Sequence, residues 1–188
     1  MRKECAPVGL FEIQGDQQLG LAPQDFDAAL EIEQTTVRAC GGAELTLHLI
    51  ARLREASGRP VGIKAAIGGE QFVDELIEAI LKRGAQSAPD FITVDGGEGG
   101  SGAAPQPLAD HMSLPIMEAL PMVASRVIAA GLKPRIRLVA SGKLVTSTQA
   151  AWALCLGADF ITTARGFMFA LGCIQSLKCH TNNCPTGI

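Results

Sequence analysis

Short apolar runs alternate with helix-periodic stretches along most of this chain, and that alternation restricts the fold more than any single motif. The runs Pro60-Val-Gly-Ile-Lys64-Ala65, Asp90-Phe-Ile-Thr-Val-Asp95, Arg135-Ile-Arg-Leu-Val-Ala140 and Asp159-Phe-Ile-Thr-Thr163 each have strand length. Between them, apolar residues return every three or four positions. Residues 70–83 are clearest: Phe72, Val73, Leu76, Ile77, Ile80 and Leu81 form one stripe, acids occupy the first turns, and Lys82-Arg83-Gly84 closes the helix. Leu45, Leu49, Ile50, Leu53 and Ala56 predict an earlier helix that stops at Gly58, and further helices are expected around 114–130 and 147–156. Strands alternating with helices imply parallel βαβ units, whose ligand sites lie at the carboxyl ends of the strands. At 188 residues the chain is shorter than the roughly 250 of a complete eight-unit barrel. A small open α/β sheet and part of a barrel both remain.

Composition narrows the function classes. Apolar residues make up 47% and charged residues 19%, enough for the core of one domain. The net charge is −3 and no basic stripe appears, so nucleic acid is not an expected partner. The most apolar long stretch, 113–132, is broken by Pro115, Glu118, Pro121 and Arg126, so no membrane span is expected. The first residues lack the apolar core of a secretory signal, which makes the cytoplasm the default address. There, six cysteines are expected to be thiols rather than disulfides. Cys40 and Cys155 are expected to be small buried apolar residues, and His48 a structural helix histidine. Residues 1–40, punctuated by Pro7, Gly9, Gly15, Gly20 and Pro23, hold no persistent period.

Chemistry-bearing residues gather after the strands. Cys173, Cys179 and Cys184 lie within twelve residues, with Pro185 directly after the last. Thiolates so spaced can wrap a compact inorganic centre, and as soft ligands they favour iron–sulfur or zinc. Zinc would take His180 as a fourth ligand; three ordinary loop thiols are the plainer alternative. The segment from Val94 to Pro105 has five glycines in seven residues, which suits either close backbone approach to a ligand or a flexible loop. Its glycine spacing is not that of a dinucleotide fingerprint. Within it, Glu98 is a candidate acid or base, or a solvated carboxylate. Ser141-Gly142-Lys143 and Ala164-Arg165-Gly166 follow the last two strands, where barrels grip phosphate through backbone N–H groups. Lys64 is costly in an apolar strand without a partner; a cofactor beside it or an outlet to solvent would explain it.

Together these motifs resemble the flavin-binding domain of glutamate synthase, in particular the shorter FMN-binding glutamate synthase family proteins, over about residues 43–188. The most specific part is Cys173, Cys179-His180 and Asn183-Cys184-Pro185-Thr186-Gly187. The resemblance implies a (β/α)8 FMN-binding barrel of which about the C-terminal half is present. Residues 1–42 are then a poorly matched segment, 43–172 a partial barrel with the FMN site, and 173–188 an iron–sulfur cysteine loop. It implies Lys64 beside the flavin ring, with Glu98 kept as a second catalytic candidate. Asp95, Gly96 and Gly97 fall near the flavin, Ser141, Gly142, Ala164, Arg165 and Gly166 at the FMN phosphate, and Cys173, Cys179 and Cys184 on a 3Fe-4S cluster. The implied reaction is reductive amination of 2-oxoglutarate to glutamate, using ammonia or glutamine-derived nitrogen. Reduced FMN supplies the hydride, and the cluster relays electrons from an electron-donor subunit.

The departures imply a truncated member. Residues 1–40 show neither the family's first strands nor its Lys-Pro-Gly-type segment, members continue past Ile188, and no glutaminase domain is present. Half a barrel exposes strand edges that a homo-oligomer would cover. Two other readings stay open: a barrel dehydrogenase with Cys173 as nucleophile, and a non-catalytic remnant that keeps a metal or flavin.

Overall fold

A computed structural model of the chain describes residues 42–98 and 111–187. The aperiodic N-terminal segment, Cys5, Cys40 and the glycine-rich run beyond Glu98 lie outside the described residues. The helix-periodic stretches fold as α1 (Ala43–Ser57), α2 (Glu70–Arg83), α3 (Ile116–Ala129) and α4 (Ser147–Cys155), and a short α5 (Ala164–Ala170) follows. Helix α1 stops where Gly58 turns left-handed at φ 63° and returns its N–H to the Arg54 carbonyl. Helix α4 starts with a capping box between Thr146 and Gln149. In α2, Val73, Leu76, Ala79 and Ile80 are buried, whereas Leu81 at the stripe's margin is exposed. No helix among the described residues is long and apolar enough to cross a membrane.

The four expected strands are β1 (Ile63–Ala66), β2 (Phe91–Asp95), β3 (Arg137–Ser141) and β4 (Phe160–Thr162). The third begins two residues later than the apolar run, because the N–H groups of Arg135 and Ile136 both return to the Leu132 carbonyl in a turn. All pairs are parallel and the sheet order is β1-β2-β3-β4. That order has no switch point, so right-handed crossovers put α2, α3 and α4 on one face. Ile63, Ala65, Ile92, Val94, Leu138 and Ala140 point to that face and form the core with Leu47, Ile80, Leu120 and Val123. The opposite face carries Lys64, Thr93, Asp95, Val139, Ser141, Phe160 and Thr162.

One expectation fails at α4. Cys155 is exposed rather than buried. Helix α4 buries only Ala153, because it lies over the open edge of β4 with no described element beyond it.

A repeated clamp holds the amino ends of the strands. Asp90 and Asp159 each precede a Phe-Ile-Thr strand and each reach back to the preceding strand. Asp90 Oδ2 accepts from the Val61 N–H at 2.7 Å and from Arg54 Nη2 at 2.9 Å, while Arg135 Nη1 lies 2.8 Å from Oδ1. Asp159 Oδ2 accepts from the Leu138 N–H at 2.8 Å and pairs with Lys133. Burial pushes both carboxyls up, but these donors outweigh it. Asp90, through Val61, Arg54 and Arg135, and Asp159, through Lys133, Leu138 and Arg137, end below their ordinary value of 3.8.

A carboxyl whose pKa is lowered by folding stabilises the fold above its unfolded value and loses that contribution as pH falls through the folded one. Stability should therefore be flat near neutrality and drop once the pH goes below about 4. Asp90→Asn should cost about 1–3 kcal/mol at pH 7 and flatten the acid limb, read from urea midpoints across pH. An acid limb of unchanged steepness in this variant and in Asp159→Asn would show that the clamps do not hold the sheet.

Candidate functional site

The carboxyl ends of the strands open on a cavity of about 480 Å³. Its polar wall is the helix-free face of the sheet: Lys64, Thr93, Asp95, Ser141 and Thr162. Lys64 Nζ lies 3.2 Å from Asp95 Oδ2, so the lysine that was anomalous in an apolar strand has a carboxylate across the β1–β2 pair. The apolar wall comes from other elements, Met168 and Phe169 of α5 and Ile174 and Leu177 beyond it.

Backbone hydrogen bonds lock the strand-end loops into one rim. The Gly96 N–H donates to the Ser141 carbonyl at 2.7 Å and the Gly97 N–H to that of Leu114 at 2.9 Å; the Leu114 N–H donates to Ile67 at 2.8 Å. The Thr163 hydroxyl donates to the Leu144 carbonyl at 2.6 Å and joins the last two loops. This close approach requires glycine. A Cβ on Gly96 would stand 2.7 Å from the Ile116 backbone nitrogen, and one on Gly97 would stand 2.5 Å from the Ser113 carbonyl oxygen. Gly142, at φ 148°, passes the backbone of Gly96 less tightly: a Cβ there would stand 3.2 Å from it.

Glu98 has a partner that its local sequence does not announce. Both carboxylate oxygens accept from the Ile116 N–H, at 3.1 and 2.9 Å, and so cap the first turn of α3 from eighteen residues upstream. An anion there is favoured by the helix dipole as well as by the hydrogen bond. The carboxylate thus borders the cavity while tying the glycine-rich loop to the helix.

The structure brings together on one cavity Lys64, Asp95, Glu98, Ser141, Gly142, Ala164, Arg165 and all three C-terminal cysteines. Gly96, Gly97 and Gly166 are not in the lining; they let the loops pack behind it. Sequence reasoning passed over Thr93, whose only signal is its place in a strand, and the apolar wall of α5, whereas Thr162 and Thr163 belong to the strand-end segment already expected at a phosphate. Lys143, also in the lining, is left-handed at φ 43°. His48 and His111 are exposed and take no part.

The expected three-cysteine metal centre is not assembled. Among the described residues no three His, Cys, Asp or Glu side chains are grouped to hold a metal ion. The physical reason is the segment itself. Residues 173–187 are largely exposed, and few hydrogen bonds hold them, such as those from Thr181 to the Lys178 carbonyl and from the Gly187 N–H to Cys184. Packing therefore does not converge the thiols; only bonds to a metal would do so. FMN meets fewer obstacles. The cavity volume falls within the roughly 300–1,000 Å³ of small-molecule sites, and hydroxyls with two cations at one end suit a phosphate.

Gly96→Ala and Gly97→Ala should each lower stability by about 1–3 kcal/mol through overpacking, whereas Gly68→Ala, with nothing within 4 Å of its Cβ, should stay within about 0.5 kcal/mol. Equal thermal midpoints for all three variants would contradict the close-packed rim.

Comparison with known proteins agrees with this layout. The family model described as a conserved region in glutamate synthase matches residues 42–188. The chain is 49% identical over 142 residues to the glutamate synthase large subunit-like protein YerD of Bacillus subtilis, covering 76% of this chain and 27% of that protein. It is 36% identical over 141 residues to the archaeal-type glutamate synthase (NADPH) of Dehalococcoides mccartyi, covering 75% and 27%. With the archaeal glutamate synthase (NADPH) of Methanocaldococcus jannaschii the identity is 35% over 143 residues, again covering 75% and 27%. The chain thus spans about a quarter of the length of these relatives. The family match runs through every described element from α1 to the cysteine segment, and on that evidence the chain belongs to the glutamate synthase family.

Proposed function

We propose that the cavity is the FMN site of a glutamate synthase-type oxidoreductase, which forms glutamate from 2-oxoglutarate with nitrogen from ammonia or glutamine. The observation that carries this reading is the shared cavity. The two loops after β3 and β4, the Lys64–Asp95 pair and Cys173, Cys179 and Cys184 all border one space. When bound, FMN supplies hydride transfer, and the protein's part is to place and tune it.

The chain's own residues divide that work. Ser141, Gly142, Ala164 and Arg165, with Lys143, are the phosphate end, offering a hydroxyl, close backbone and two cations. Lys64, oriented by Asp95, sets a positive charge on the cavity's polar wall. Met168 and Phe169 offer an apolar surface to a planar ring and keep water from it. Glu98 holds the rim in place through α3. Cys173, Cys179 and Cys184 are the proposed ligands of a 3Fe-4S cluster, drawn together as the metal binds rather than held ready. An electron-donor subunit and a cytoplasmic setting belong to the same reading.

The test is an absorption spectrum of the chain purified without oxygen, before and after reconstitution with FMN, iron and sulfide. Flavin bands over a broad iron–sulfur shoulder are expected. A protein that stays colourless overturns the proposal. Cys179→Ser should remove the iron–sulfur absorption and leave FMN affinity within about twofold, and unchanged iron content would sink the ligand assignment. Gly142→Val should weaken FMN binding at least about tenfold, worth about 1.4 kcal/mol. Unaltered affinity would remove the loop from the phosphate site.

A further inference from the structure

We infer that Thr93 is a further binding residue of the cavity and that its hydroxyl donates to a carbonyl oxygen of the flavin ring. This role rests on the FMN reading above and concerns the end of the ligand that the phosphate loops do not hold. Thr93 is 5% exposed, and among the described residues it is the one buried residue with a polar side chain. Its neighbours along β2, Ile92 and Val94, face the helices and belong to the core. Thr93 therefore faces the other way, and it lines the cavity. Other threonines satisfy their hydroxyls nearby: Thr163 donates to the Leu144 carbonyl at 2.6 Å, and Thr181 to that of Lys178 at 2.8 Å. The Thr93 hydroxyl makes no hydrogen bond among the described residues. A hydroxyl so placed is costly, since valine would fill nearly the same space with the same strand preference and no polar group to desolvate. A ligand that accepts from it removes that cost.

The strand register says which part of the ligand meets Thr93. It is level with Lys64 on β1 and with Val139 on β3. Asp95, two residues on along the same face, pairs with Lys64 at 3.2 Å. An ammonium and a hydroxyl, both donors, thus stand side by side on one corner of the cavity floor. The phosphate loops follow β3 and β4, one and two strands away, about 5–10 Å across the sheet. Thr93 also lies two residues below the end of β2, about 7 Å down the strand. One phosphate group cannot reach both places. A phosphate held at the loops leaves the ring of the same ligand to lie toward β1 and β2. The isoalloxazine carries its polar groups on one edge, two carbonyls flanking an imide N–H, and is apolar over its faces and its other edge. Its carbonyl edge suits the donor corner of Lys64 and Thr93, and its faces suit Met168 and Phe169 of the apolar wall.

The test is titration of the full chain with FMN, followed by flavin fluorescence, with the carbonyl stretches of the bound flavin read by infrared difference spectroscopy. Thr93→Val keeps the shape of the side chain and removes the donor. It should raise the dissociation constant for FMN about three- to tenfold, the range of one neutral hydrogen bond, and move a flavin carbonyl stretch to higher frequency. Thr93→Ser, which keeps the hydroxyl, should keep the parent's carbonyl band. The thermal midpoint of flavin-free Thr93→Val should equal or exceed the parent's, because no bond within the protein is lost. A lowered midpoint would instead give the hydroxyl a partner in the fold and overturn the assignment. Unchanged affinity and unchanged carbonyl bands in Thr93→Val would leave the FMN reading standing and remove Thr93 from the site. Weaker binding with unmoved carbonyl bands would overturn the contact with the ring. A parent chain that takes no FMN would overturn the FMN reading itself, and the role of Thr93 with it.

Discussion

Parallel strands laid down in chain order leave the crossover helices no choice of side, and this single constraint organises the molecule. With every crossover of one hand, α2, α3 and α4 must return over the same face, so that face takes most of the aliphatic residues of the strands. Among the described residues the other face receives none of these crossover helices. It is therefore where, among the described residues, a lysine, an aspartate, threonines and a serine stand without being driven into the core. Lys64 illustrates the consequence. In a doubly covered sheet its ammonium would need a buried partner on both sides; here one carboxylate 3.2 Å away and an open cavity are enough.

The two ends of the sheet divide the charged groups by task. At the amino ends, Asp90 and Asp159 are saturated by donors, each taking a backbone N–H and two basic side chains. Such carboxylates have little bonding capacity left for a ligand, and their lowered pKa values express how strongly folding favours the charged form. At the carboxyl ends the polar groups face a cavity instead. The amino ends hold register and stability, which leaves the carboxyl ends free to carry loops whose geometry serves a site.

Much of this was legible in the residues because it is local. The stripe Val73, Leu76 and Ile80 announces α2, the β-branched runs announce the strands, and the small residues after them mark loops at the strand ends. What was hidden depends on distant partners. Glu98 looked like a solvated acid or a catalyst, and only the fold shows it capping a helix eighteen residues on. Gly96 and Gly97 looked like ligand contacts, yet their small size is used against the backbone of Ser113 and Ile116. Cys155 looked buried because its neighbours are apolar, but burial is set by what lies beyond β4 rather than by the helix itself.

The site is unequally held. Its polar wall is fixed by strand registers, an ion pair and a chain of backbone hydrogen bonds from Ile67 to Ser141, none of which needs a ligand. The opposite wall, beyond α5, is mostly exposed, and Gln175, Leu177 and Asn182 sit in left-handed conformations that cost energy without tertiary support. Under the proposed function, such a wall would gain order from what it binds. Any ligand that bridges the two walls stabilises the assembly by its binding free energy, and the gain falls on the cysteine-bearing side, because the strand side is already in place. The floor is thus preformed, whereas the roof, under the proposed function, awaits its ligand. The sheet can satisfy its backbone internally, whereas a loop rich in thiols and poor in packing partners cannot.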